Sequence, residues 1–227
     1  MSLRDPAFAF GLSHPGPRVR FAAAGAGMAA ALWFAGGVVP AAIFAAVASV
    51  VVAGASRYPH PRIGFCNVLT FARLALACLL ASRIGDEPGW PEVFVAVAAL
   101  ATDGFDGWAA RRTGLISRFG ARFDMEVDSG LALVLACLAA GRLGGWVMVL
   151  GVMRYLWLAA ASLVPRLNGT LPDSMARKTV CVIQIAALIA AICPAVPPLA
   201  AIAAASFAGL LLIWSFGRDA LWLLRRG

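Results

Sequence analysis

The sequence predicts an all-α integral membrane protein of eight transmembrane helices. Three observations carry this. Of the 227 residues, 62% are hydrophobic, against roughly 45–50% in a soluble domain. The mean hydropathy is +0.86. The apolar stretches are continuous, with none of the alternation that marks an outer-membrane strand.

Charges and Pro/Gly clusters divide the apolar stretches into helices near residues 20–36, 39–55, 67–84, 91–112, 120–141, 145–165, 178–194 and 198–217. The first two come from 36 charge-free residues, Phe21 to Ser56, broken by Gly36, Gly37 and Pro40. They read as two short spans or a re-entrant hairpin; the run is too long for a cleaved signal peptide. The third helix carries Arg73 and the sixth carries Arg154. The fourth and fifth flank the basic segment Arg111 to Arg122. The seventh follows a loop, Asn168 to Ser174, flanked by Arg166, Arg177 and Lys178. After the eighth, residues 218–227 read as a basic cytosolic tail able to lie along the inner leaflet.

Eighteen of the 19 basic residues are arginine, and the net charge is +8. Threading eight spans from a cytosolic N-terminus puts 15 basic residues on the cytosolic side and two, Arg83 and Arg142, outside. That bias follows the positive-inside rule. It accounts for the charge through membrane orientation and anionic lipid, without nucleic acid. It places both termini in the cytosol, in a multi-pass protein of a bacterial inner membrane. The five cysteines are scattered singly, with no metal-ligand spacing, and read as reduced and structural.

Residues 103–128, DGFDGWAARRTGLISRFGARFDMEVD, hold five of the chain's 11 acidic residues. A carboxylate placed in hydrocarbon costs about 2.5–3.5 kcal/mol, so this concentration points to use. Asp103 and Asp106 are three apart, Asp124 and Asp128 four apart, so each pair shares a helix face. Two antiparallel helices joined by the basic segment bring the four carboxylates together. Four such charges need cations. Hard oxygen ligands suit Mg²⁺ or Mn²⁺. Two such cations can clamp a phosphoryl group while a carboxylate activates the attacking group. Gly107 and Gly120 admit a ligand close to the backbone. Gly120 stands at a helix N-terminus, where free N–H groups favour anions. Arg111, four residues after Gly107, can bind phosphate oxygens bidentately. The plainer reading, acids paired with loop arginines, leaves the regular spacing unexplained.

Arg154 and Arg73 lie within spans, where arginine is costly and faces a cavity or pairs with an acid. With Arg177 and Lys178 they are candidates for binding the acceptor. Glu126 lies off the Asp124/Asp128 face and reads as a helix-surface ion pair. Two function classes fit intramembrane acids: phosphoryl-group transfer, and divalent-cation or proton-coupled transport. Transport expects acids spread along a path, often with an inverted repeat; these are packed at one edge, with no visible repeat.

The spacing D-x-x-D-G-x-x-A-R, eight residues, then G-x-x-x-D-x-x-x-D resembles the signature of the CDP-alcohol phosphatidyltransferase family. Asp103, Asp106, Gly107, Ala110, Arg111, Gly120, Asp124 and Asp128 occupy its fixed positions. Asn67, Leu69, Thr70 and Arg73 resemble the N-x-L-T-x-x-R opening of the family's first core helix. The resemblance implies transfer of a phosphatidyl group from CDP-diacylglycerol to an alcohol, with release of CMP, in phospholipid biosynthesis. It implies that Asp103, Asp106, Asp124 and Asp128 bind two divalent cations, Mg²⁺ or Mn²⁺. It makes Asp128 also the base, and places Gly107, Arg111 and Gly120 on the CDP moiety. A homodimer is implied as well. The acceptor expected is a phosphorylated polyol such as glycerol 3-phosphate or inositol phosphate, with serine, choline or another alcohol as alternatives. The core would span residues 67–217, leaving residues 1–66, with their two extra spans, outside the family's six helices.

Overall fold

Among the described residues eight helices follow one another, as the apolar pattern predicts. They are α1 (Pro17–Gly36), α2 (Val38–Gly54), α3 (Phe65–Ala81), α4 (Trp90–Thr113), α5 (Arg118–Leu143), α6 (Met148–Leu163), α7 (Met175–Ile192) and α8 (Pro198–Arg226). The computed structural model describes residues 16–55, 58, 64–113, 117–169, 171–172 and 174–226; the side chains of residues 103–113 and 226 lie outside that description. Pro17 suits the first turn of α1, which needs no N–H there. Gly37, at φ 85°, reverses the chain directly into α2. Gly144, at φ 90°, ends α5 and opens a 3-10 turn, Gly145–Val147, that leads into α6. Ser117 caps the start of α5: its hydroxyl oxygen accepts the Gly120 N–H at 2.9 Å.

The last helix corrects one expectation. The segment from Arg218 is not a separate tail but the last turns of α8. No proline or glycine follows Gly217 until Gly227 to break it. Leu223 is buried with Ala161 and Leu167, and Asp219 binds Arg177 of α7 at 3.2 Å.

Among the described residues four stretches are long and apolar enough to cross a bilayer: Pro17–Gly36, Gly145–Leu163, Met175–Ile192 and Pro198–Arg225. Three shorter apolar helices accompany them, Val38–Gly54, Phe65–Ala81 and Trp90–Thr102. Large apolar side chains such as Phe34, Phe94, Leu199 and Leu210 face outward, as a lipid-facing surface requires. The protein is a multi-pass integral membrane protein.

α5 lies at the centre and packs against α3, α6 and α7. Its Leu131, Leu135, Ala136 and Ala139 join Leu80, Ala96, Ala99, Leu150, Leu188, Ile192 and Leu212 in the main core. So many alanines allow close helix approach, which is how membrane helices gain packing without a hydrophobic drive between them. A second core joins α1 and α2 to α3 and α5 through Phe21, Phe44, Phe71 and Phe123. The two arginines read as external are both committed. Arg83 binds Glu92 at 3.0 Å and Asp86 at 3.2 Å. Arg142 donates to the carbonyls of Ala191 (3.2 Å), Cys193 (2.5 Å) and Val196, closing the end of α7.

The α5–α6 crossing depends on Gly151, where an added Cβ would lie 2.8 Å from both Ala136 Cβ and Leu133 Cα. A backbone atom cannot yield, so Gly151→Ala must separate the helices. It is expected to destabilise by about 1–3 kcal/mol, read as a lowered unfolding midpoint in detergent. Gly141→Ala, with open space around the added methyl, should leave the midpoint unchanged.

Candidate active site

α3 and α5 run parallel and meet rung by rung. On α3, Asn67, Thr70 and Arg73 recur at three-residue spacing; on α5, Gly120, Asp124 and Asp128 recur at four. Both spacings hold side chains on one helix face. Asn67 Oδ1 lies against Gly120, where an added Cβ would be 2.9 Å away. Thr70 donates its hydroxyl to Asp124 Oδ1 at 3.4 Å, sharing it with the Cys66 carbonyl at 3.0 Å. Arg73 Nη1 donates to Asp124 Oδ1 at 2.8 Å and to Asp128 Oδ1 at 2.7 Å.

Arg73 is the largest fully buried side chain among the described residues. A buried arginine is tolerable only when paired and hydrogen-bonded. Its Nε donates to Thr102 Oγ1 at 3.4 Å, and Thr102 in turn donates to the Ala99 carbonyl at 2.6 Å. Thr102 immediately precedes Asp103, so Arg73 ties the acidic turn of α4 to that of α5. Asp103 and Asp106 sit one turn apart on α4. Their side chains, with those of Gly107, Ala110 and Arg111, lie outside the described residues.

The side chains of Asp124 and Asp128 are 36% and 41% exposed, against 0% for Arg73. Arg73 therefore holds the carboxylates from their buried side, while more than a third of each of their side chains stays exposed. Such hard, open oxygen donors fit a divalent cation. Among the described side chains, the Arg73 guanidinium is shared by two carboxylates, Asp124 and Asp128.

Gly120 is placed differently from the sequence expectation. It lies within the first turn of α5, and its N–H is already taken by Ser117 Oγ, so that N–H is not open to an anion. A Cβ there would meet Asn67 Oδ1 at 2.9 Å and Ser117 Oγ at 3.1 Å. Any larger residue would have to move these two side chains, whatever glycine does for a ligand.

The other basic residues separate into two groups. Arg154 of α6 donates from Nη2 to Glu126 Oε1 of α5 at 2.6 Å. Its Nε is buried with no hydrogen-bond partner among the described residues. Arg177 donates to Asp219 of α8 at 3.2 Å and to the Pro172 carbonyl. Lys178 follows it and is exposed. Asp219 also receives Arg218 at 3.1 Å.

From the chain alone, Asn67 and Thr70 stood out only through the family resemblance, and Tyr58 not at all. The signal for the first two was present: a three-residue polar repeat on one helix matching a four-residue repeat on another. Tyr58, whose hydroxyl receives Asn67 Nδ2 at 3.2 Å and the Gly64 N–H at 3.1 Å, left no such signal.

Removing Arg73 would leave two adjacent carboxylates without their counter-charge. Arg73→Met is expected to cost about 3–5 kcal/mol of stability, read by reversible unfolding in micelles. Adding Asp124→Asn to Arg73→Met should recover part of that loss. An unchanged midpoint in Arg73→Met would show that the pairing adds nothing.

A model of the CDP-alcohol phosphatidyltransferase family matches residues 64–216. No solved structure matches the chain. The matched segment begins just before α3, ends within α8, and contains the whole α3–α5 ladder and the acidic turn of α4. The protein belongs to the CDP-alcohol phosphatidyltransferase family, transferases that move phosphatidyl groups in phospholipid synthesis.

Proposed function

We propose that the protein transfers the phosphatidyl group of CDP-diacylglycerol to a phosphorylated polyol, of the kind of glycerol 3-phosphate or inositol phosphate, and releases CMP. The observation that carries this reading is the pair Asp124 and Asp128, held by buried Arg73 with more than a third of each side chain exposed, on helices that the family match covers. Transport is the weaker reading, since the described carboxylates at this site gather on one arginine instead of lining a path.

Asp103, Asp106, Asp124 and Asp128 would hold two divalent cations, Mg²⁺ or Mn²⁺. Bound there, the cations neutralise and polarise the donor's diphosphate. Asp128 accepts the proton of the acceptor hydroxyl at a carboxylate oxygen, while Arg73 fixes the orientation of that carboxylate. The deprotonated oxygen bonds to the lipid-side phosphorus. The bond from that phosphorus to the bridging oxygen breaks, and CMP leaves with the electron pair. Arg111 binds phosphate oxygens of the CDP moiety, with Gly107 and Gly120 keeping the backbone low beside it. Arg154, though paired with Glu126 off the Asp124/Asp128 face, is the candidate for the acceptor's phosphate. Its buried Nε, with no hydrogen-bond partner among the described residues, supports this, because such a donor is costly until a ligand or water meets it. Arg177 and Lys178 add positive charge on the first turn of α7.

The site faces the cytosol, a reading supported by the distribution of basic residues between the two ends of the helices. CDP-diacylglycerol then enters laterally from the inner leaflet, its acyl chains staying in the bilayer. A homodimer is the assembly this family implies.

The test is CMP release by purified protein from CDP-diacylglycerol with Mg²⁺ or Mn²⁺. The acceptor panel is glycerol 3-phosphate, inositol phosphate, serine, choline, inositol and glycerol. Release with a phosphorylated acceptor, abolished by chelation, is expected. Asp128→Asn should lower kcat by about 10²–10⁴-fold and still bind CDP-diacylglycerol. Turnover retained in a folded Asp128→Asn protein would remove Asp128 as the base. Release only with serine, choline or inositol would overturn the phosphorylated acceptor.

A further inference from the structure

The N-terminal hairpin lies outside the family match, which starts at Gly64. It nevertheless reaches the site. Three residues at its base surround Phe119, in the first turn of α5. Phe21 of α1 meets Phe119 edge-on, with ring centroids 5.5 Å apart at 89°. Tyr58, four residues beyond α2, meets it at 6.1 Å and 70°. Gly54, at the end of α2, comes so close that a Cβ there would lie 3.2 Å from Phe119 Cε2. Phe21 also packs on Tyr58 at 5.2 Å and on Phe71 of α3 at 5.9 Å. Arg18 donates to the Ala53 carbonyl at 3.4 Å, holding the two ends of the hairpin together.

Tyr58 connects this aromatic cluster to the ladder. Its buried hydroxyl accepts the Gly64 N–H and one N–H of the Asn67 amide. That bond fixes which way the Asn67 amide faces, and directs Oδ1 at Gly120. We propose that Tyr58 is a positioning residue for the transferase: it locks the first rung of the α3–α5 ladder, so the hairpin sets the geometry of the donor site.

The inference rests on the reading above, in which Gly120 lies beside the CDP moiety and Asp128 is the base. It separates the two ends of the ladder. The first rung, Asn67 on Gly120, depends on Tyr58. The last, Arg73 on Asp124 and Asp128, is held independently by Thr102 and Thr70. Loss of the Tyr58 hydroxyl should weaken donor binding and leave proton transfer intact.

Tyr58→Phe, in the full chain, keeps the ring and removes only the hydroxyl. Its KM for CDP-diacylglycerol is expected to rise about three- to tenfold, the worth of a buried hydrogen bond, with kcat within about twofold. Hydrogen exchange of the same variant should speed up in peptides covering 64–70 and 118–124, and stay unchanged in 185–192. In an Asn67→Ala background, Tyr58→Phe should add nothing further to KM or to exchange. Three results would overturn the proposal: wild-type KM and exchange in Tyr58→Phe; faster exchange throughout the chain, which marks a general structural role; or additive effects in the double variant. If the wild type releases no CMP with any acceptor, the transfer reading fails, and the exchange experiment alone decides whether Tyr58 positions the ladder.

Discussion

One buried guanidinium governs this structure. Arg73 has no exposure, and its charge is met by Asp124 and Asp128 on a neighbouring helix. In a low-dielectric interior neither partner is tolerable alone: the arginine would be an isolated buried cation, the carboxylates two repelling anions. Together they fix the parallel register of α3 and α5. A slip of one residue rotates a helix face by about 100° and would take Arg73 off both acids. The electrostatics that make the site therefore also set the packing of the helices that carry it.

The same constraint explains how apolarity is distributed. The helices most clearly able to cross a bilayer are α1, α6, α7 and α8. The site is built on α3, α4 and α5, where arginine and aspartate dilute the apolar run. Two of those helices are shielded from lipid: α5 is central, and the hairpin α1–α2 packs on α3, whereas α4 turns Phe94 and Val97 outward. Polar membrane helices are affordable inside a bundle because neighbouring helices take the place of lipid. The hairpin thus completes the enclosure of α3 as well as bracing its first turn.

Much of this was legible in the chain. All eight helices were marked by apolar runs and their breakers, and each observed boundary falls within a few residues of the expected one except at the end of α8. There the basic tail looked separable because charge usually ends a span. The Arg177–Asp219 pair and the burial of Leu223 instead carry the helix onward. The acidic cluster was legible because aspartates are rare in such a composition. Arg73 was recognised as costly, but its partners were not, since a contact across 51 residues has no local signature. Arg154 was equally ambiguous between ion pair and ligand group. The structure gives it both an ion pair with Glu126 and a buried Nε with no hydrogen-bond partner among the described residues.

Gly120 shows why a motif position resists a single explanation. Its lack of a side chain invites a reading in terms of ligand approach, and its place near a helix start invites one in terms of anion binding. For the second, the Gly120 N–H itself is already engaged by Ser117. The first is joined by a stricter demand: Asn67 Oδ1 sits where any Cβ would be. A larger residue there would displace the Asn67 amide and the Ser117 hydroxyl, and so undo the first rung. Fold and site share the same atoms at this point, so a substitution at Gly120 tests both at once, whereas one at the Tyr58 hydroxyl tests the position of the site alone.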